Sequence, residues 1–130
     1  MSKGSSYDTR FFVELYYSSN KDVHSRIRDI LLKSKPNYIS TVVLSEVYKL
    51  SLETQGKDVA EIRAKSLVKD FHLVVVDQEV AIEAAKIKHK HSMPFVDSVI
   101  ASTAKILKLP CYTDDPHFEE IDGVSVKWIS

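Results

Sequence analysis

Cysteine is almost missing from this chain: Cys111 stands alone, so neither an internal disulfide framework nor a cysteine-based zinc ribbon can be built. So little cysteine suits a reducing compartment. No apolar run reaches membrane-spanning length, and Met1 to Ser6 lacks the apolar stretch of a signal peptide, so cytoplasmic residence without membrane contact is expected. Three glycines and four prolines leave no material for long linkers, collagen-like repeats or low-complexity tails. An excess of one charge is missing too: 18 basic residues balance 18 acidic ones, which excludes a protein that coats nucleic acid by bulk electrostatics. Any nucleic-acid contact must come from a local patch.

What is present is 130 residues, 44% hydrophobic and 28% charged, enough for one core and too few for two comfortable domains. Residues 1–6, polar and small, read as a flexible N-terminus, and residues 7–130 as a single domain. A very short strand around Tyr7 ends at Asp8. Helical spacing follows at Phe11, Phe12, Leu15 and Tyr16, and again at Val23, Ile27, Ile30 and Leu31, with Pro36 as a stop. Tyr38-Ile39-Ser40 is a brief strand, and Thr41 to Gln55 a helix closed by Gly56. Another stripe runs from Ala60 to Phe71, after which the apolar run Leu73-Val74-Val75-Val76 predicts a strand covered on both faces. Asp77 is placed to cap a helix carrying Val80, Ala84 and Ile87, and Pro94 opens a helix to about Lys108. Cys111-Tyr112-Thr113 and the alternating Val124 to Ile129 complete the strands. Strands alternating with helices imply an α/β fold, a three-layer α/β/α sandwich with a central, mainly parallel sheet.

In such sheets the functional crevice lies beyond the carboxyl ends of the strands. Asp8, Asp97, Asp114 and Asp115 fall at that edge, and Glu46 lies a turn or so into its helix among apolar neighbours. Each acid alone has a plainer reading. Asp8 can cap a helix, Glu46 can pair with Lys49, Asp97 can answer a helix dipole, and Asp114-Asp115-Pro116 can be a loop. Their common location favours the functional reading. Carboxylates gathered a few ångströms apart repel, so some stay protonated or a cation sits among them. Hard oxygen donors without cysteine or convergent histidine favour Mg²⁺ or Mn²⁺ over zinc. Such ions bind phosphate oxygens and activate water, the logic of phosphodiester hydrolysis.

Four segments, Tyr7-Asp8-Thr9, Ser45-Glu46-Val47-Tyr48, Phe95-Val96-Asp97-Ser98-Val99-Ile100-Ala101 and Thr113-Asp114-Asp115-Pro116-His117-Phe118, resemble in that order the PIN-domain family. Among its members the chain is most similar to the small VapC-type toxin ribonucleases. The resemblance implies that Asp8, Asp97 and Asp115 hold Mg²⁺ or Mn²⁺ directly and Glu46 directly or through water, so that these four are the catalytic residues. Thr113 would orient the last aspartate or a water, and Asp114 occupies the variable place between them. It further implies cleavage of RNA by metal-activated water, frequent homodimers, and a small antitoxin protein as partner. Arg10 stands where the family usually has a small polar residue, and only Tyr7 supplies the apolar part of the first strand.

Possible RNA contacts are Arg10, the basic run containing Lys86, Lys88 and Lys90, and His117. His89 and His91 point to different sides of a helix, which argues against a zinc pair. Phe11, Phe12, Tyr16 and Tyr17 are mostly core, with any surplus available to a dimer face. A dehalogenase-type phosphatase is excluded because the position two after Asp8 is Arg10, and a receiver domain because the acidic pair comes late. The alternative of another class is a catalytically weak PIN-like module that binds RNA or protein, and Arg10 keeps that alternative open.

Overall fold

The computed structural model describes residues 4–130. Five parallel strands form the sheet: β1 (Ser5–Tyr7), β2 (Asn37–Ser40), β3 (His72–Val74), β4 (Cys111–Thr113) and β5 (Val126–Trp128), in the order β3-β2-β1-β4-β5. Parallel neighbours need crossovers, and helices supply them. α1 (Thr9–Tyr17) and α2 (Lys21–Lys33) join β1 to β2, and α3 (Thr41–Gln55) and α4 (Lys57–Asp70) join β2 to β3. α5 (Gln78–His91) and α6 (Phe95–Leu107) lead from β3 to β4, and a 3₁₀ turn at Pro116–Glu120 precedes β5. β1 and β4 are buried at every position, as strands covered on both faces must be. The sequence-derived α/β sandwich is therefore the fold. No helix among the described residues is long and apolar enough to cross a membrane.

Local chemistry accounts for the element boundaries. Asn20 caps α2 by accepting from the backbone N–H groups of Asp22 and Val23, and Ser40 caps α3 through Val42. Gly56 adopts φ 89°, a left-handed value that ends α3 and turns the chain straight into α4. Asp77 caps α5 as its position predicts, its Oδ1 accepting from Val80 N at 2.9 Å. Tyr7, Phe11, Phe12, Ile39, Ile100 and Phe118 are almost fully buried in one core. Each such side chain contributes about 1.5–3 kcal/mol through removal from water.

Two expectations are corrected. Ser5 and Ser6 are not part of a flexible terminus but two of the three residues of β1, held by Ser5 N to Pro36 O at 3.0 Å and Ser6 N to Pro110 O at 2.8 Å. Small polar side chains suffice there because the strand is central and its backbone pairs on both sides. Gly4 precedes them at φ 109°, where a Cβ would meet the Pro36 carbonyl at 2.4 Å; the rest of the expected flexible segment, residues 1–3, lies outside the described residues. The run from Leu73 to Val76 is not a doubly covered strand: β3 covers His72–Val74, pairs only with β2, and leaves Val75 64% exposed. Phe11 and Phe12 are interior, as expected of most of the aromatics after Asp8, while Tyr17 is exposed.

Between β1 and β4 the sheet has its switch point. From β1 the chain moves outward to β2 and β3, then returns past β1 to β4 and β5. Loops leaving β1 and β4 diverge, and the crevice opens between their carboxyl ends.

Candidate active site

Asp8 follows β1 directly and is wholly buried. Although it is the N-cap residue of α1, its side chain caps nothing. The β1–β4 register pairs Tyr7 with Tyr112, so the next step sets Asp8 beside Thr113. Thr113 Oγ1 donates to Asp8 Oδ2 at 2.7 Å, and Arg10 Nη1 donates to the same oxygen at 2.9 Å. Asp8 Oδ1 is buried with no hydrogen-bond partner. A buried acceptor left bare costs about 1–3 kcal/mol, more when charged, so this oxygen is a candidate ligand atom for a cation.

Asp115 lies two residues beyond Thr113, and its backbone N–H returns to Thr113 Oγ1 at 3.0 Å. Its Oδ1 accepts from the His117 backbone N–H at 3.0 Å and contacts the His117 ring Nδ1 at 2.7 Å. Its Oδ2 faces Arg10 Nη2 at 3.5 Å. Burial alone would raise its pKa, but the His117 contacts and the Arg10 charge outweigh burial and hold the carboxyl below the usual range. Asp97, in the first turn of α6, behaves oppositely. Burial, then the charge of Asp8, with Asp115 and Glu46 adding and Arg10 opposing, pushes its pKa up to about 6. The four acids thus lie within one another's field.

Glu46 is half-buried on α3 and accepts from Thr9 Oγ1 at the start of α1. It does not pair with Lys49, which faces Glu53 at 3.9 Å instead. Asp114 turns away from the cluster: its carboxylate receives the backbone N–H groups of Ile129 at 3.0 Å and Ser130 at 3.2 Å, closing the end of the sheet. Adjacent aspartates therefore have separate tasks. Of the basic run on α5, Lys88 donates to Met93 O at 3.0 Å and Lys90 faces Asp122 at 3.6 Å, while Lys86 makes no ion pair among the described residues.

Asp97 and Asp115 share a cleft of about 140 Å³ with His91, Met93, Pro94 and His117. A larger apolar groove of about 280 Å³, lined in part by Leu15, Leu31, Leu32 and Phe71, contains none of the four acids. Cys111 is no nucleophile: burial pushes its thiol far up. Two residues of the site escaped the sequence reading. Thr9 anchors Glu46, and its place immediately after Asp8 was the available signal. His91 lines the cleft because a left-handed turn at Ser92, φ 53°, separates α5 from α6, a conformation its serine does not announce.

The donor set fits a hard divalent cation in chemistry: carboxylate oxygens, one of them buried and bare, and no thiolate. In the present arrangement no three His, Cys, Asp or Glu side chains among the described residues close around one point. The Arg10 guanidinium bridges Asp8 and Asp115.

The family model described as PIN domain matches residues 7–124. Among solved structures the chain is similar to a toxin-antitoxin complex from Klebsiella pneumoniae, with TM-score 0.77, 20% identity and 98% of each chain covered. It is similar to a DNA-bound VapBC from Salmonella typhimurium, with TM-score 0.80, 16% identity, and 98% of this chain and 99% of that one covered. VapC20 from Mycobacterium tuberculosis, a sarcin-ricin loop cleaving toxin, aligns with TM-score 0.77, 19% identity, and 95% and 99% coverage. Likeness at these identities shows the fold. No curated protein sequence matches.

Proposed function

Because the chain belongs to the PIN-domain family, we propose that it is a divalent-metal-dependent ribonuclease, the toxin of a toxin-antitoxin pair, hydrolysing RNA phosphodiester bonds with water. What supports this reading is the approach of Asp8 and Asp115 across the switch point, with Asp8 Oδ1 buried and unpartnered and with Asp97 feeling the charge of both and of Glu46. Asp8, Asp97 and Asp115 would hold Mg²⁺ or Mn²⁺, with Glu46 as the further acid of the set. A bound ion would supply an activated water and charge stabilisation at the phosphate.

The protein's own groups perform the rest. Thr113 fixes the rotamer of Asp8, and Thr9 that of Glu46, which pre-organises the oxygens before substrate arrives. Asp97, with its pKa raised to about 6, becomes increasingly ionised as pH rises through that value and so gains affinity for a cation. His117, held on Asp115 and otherwise exposed, lines the cleft beside Asp97 and is placed to contact RNA there. Arg10 and Lys86 supply positive charge to the RNA backbone, and Lys88 and Lys90 join them where their internal partners release them.

The solved relatives titled as toxin-antitoxin or VapBC complexes support expecting a small antitoxin partner. Homodimerisation belongs to the same reading: Ile62, Val68, Val75 and Ile82 are each more than half exposed and give a second copy apolar surface to cover.

The test incubates purified protein with structured and single-stranded RNAs in Mg²⁺, Mn²⁺ or EDTA, beside Asp97→Asn. Metal-dependent cuts ending in 5′-phosphate, lost in the variant, are expected. Equal behaviour of wild type and variant, with no divalent ion bound in calorimetry, would replace the nuclease with a PIN-like RNA- or protein-binding module.

A further inference from the structure

Arg10 occupies a position that helix energetics disfavours. It is the second residue of α1, where the helix dipole presents positive potential and where no acidic residue of the first turn offsets it. Its compensation comes from outside the helix. One guanidinium nitrogen reaches Asp8 Oδ2 at 2.9 Å and the other faces Asp115 Oδ2 at 3.5 Å. The fork therefore bridges two of the acids assigned to the ion, one arriving from β1 and the other from the turn after β4.

The bridge is incomplete in a particular way. It satisfies Asp8 Oδ2, which Thr113 already holds, and leaves the deeper Oδ1 bare. One cation also faces the carboxylates of Asp8, Asp97 and Asp115, so the cluster keeps a net negative charge with Arg10 in place. The Arg10 side chain is 46% exposed, so turning its guanidinium out to water breaks two charge-assisted contacts without disturbing the core or the backbone of α1. A divalent ion, by contrast, can use the buried oxygen that the planar guanidinium does not reach.

We propose that Arg10 is an internal, displaceable counter-cation of the acid site: a divalent ion enters by expelling the guanidinium from Asp8 and Asp115, and Arg10 thereby sets the site's metal affinity. The inference rests on the metal-nuclease reading above and concerns a single residue of this chain. Once released, the guanidinium stays tethered at the mouth of the cleft by the first turn of α1, free to engage a phosphate. Metal loading and substrate contact are then linked through one side chain.

Displacement is measured directly on this chain. Calorimetric titration with Mn²⁺ compares wild type with Arg10→Gln and Arg10→Lys, and the guanidinium resonances of Arg10 are followed by nitrogen-15 NMR as Mg²⁺ is added. Arg10→Gln is expected to bind Mn²⁺ roughly tenfold tighter or more, as loss of a charge-assisted competitor requires. Arg10→Lys, which keeps the charge but loses the fork, is expected to fall between the two. In wild type the Arg10 signals should shift toward those of a solvent-exposed arginine at saturating Mg²⁺. Unchanged Arg10 signals at saturation, or equal Mn²⁺ affinity in wild type and Arg10→Gln, overturn the inference while leaving the nuclease reading intact. Absence of divalent binding in all three proteins removes the nuclease reading and the displacement together. Tighter binding in Arg10→Gln with Arg10→Lys identical to wild type assigns the effect to remote charge and also overturns the bridge.

Discussion

Thr113 Oγ1 donates to Asp8 Oδ2 at 2.7 Å and accepts from the backbone N–H of Asp115 at 3.0 Å, so one hydroxyl ties together acids that are 107 positions apart in sequence. Both bonds are buried. Thr113→Val keeps the shape of the side chain and removes both, leaving the Asp115 N–H unpaired. A stability loss of about 1–3 kcal/mol is expected in urea unfolding. RNA cleavage should fall with it, even under conditions where the variant remains folded.

Asp97 makes stability depend on pH in the metal-free protein. Its pKa in the folded state is raised to about 6, above that of the unfolded chain. The native state thus holds the proton more tightly. Its contribution is fully present below about pH 4 and is lost as pH rises through 6, so wild type in EDTA should lose stability relative to Asp97→Asn across that window. The difference is on the order of 1–2 kcal/mol once solvent screening of a half-exposed group is allowed for. Thermal melts at pH 4 and pH 7.5 measure it. A difference that grows toward low pH would contradict the assignment.

The same carboxyl governs ion binding with the opposite sense. A protonated Asp97 is a poor ligand, so Mn²⁺ affinity should strengthen as pH rises from 5 to 7, and calorimetry at fixed ionic strength should record proton release on binding. Asp97→Asn should flatten the part of this dependence that is centred near 6.

Asp114 and Asp115 should separate cleanly. Asp114→Ala removes the acceptor of the Ile129 and Ser130 backbone N–H groups, and a loss of about 0.5–1.5 kcal/mol is expected with metal affinity unchanged. Asp115→Asn should abolish cleavage. Equal loss of metal binding in both variants would show that Asp114 also belongs to the site.

Thr9→Val tests pre-organisation of Glu46. The carboxylate keeps its charge but loses the hydroxyl that orients it. Cleavage at low metal concentration should fall roughly tenfold and recover as metal is raised, since a mobile ligand weakens binding more than chemistry. Glu46→Gln should not recover in the same way.

Much of the site could be read along the chain because Asp8, Asp97 and Asp115 each adjoin the end of a strand or the start of a helix, and those boundaries carry short-range signals. Glu46 was harder. Its helical neighbours are largely apolar, and a nearby lysine offered a plain ion pair that the structure gives to Glu53 instead. Thr9 was missed because its partner Glu46 is 37 positions away, and His91 because the left-handed turn at Ser92 that brings it to the cleft has no local signal.

The order of strands and helices, the single core and the caps at Gly56 and Asp77 follow from the chain itself, since apolar periodicity and capping chemistry operate over a few residues. Tertiary structure decided the rest. It made two serines into most of the central strand, because pairing on both sides replaces the apolar side chains a strand normally announces. It moved Val75 and Val76 out of the interior, because β3 lies at the edge of the sheet. It also put the Arg10 guanidinium between Asp8 and Asp115, a contact no local pattern encodes, because it exists only once β4 lies against β1.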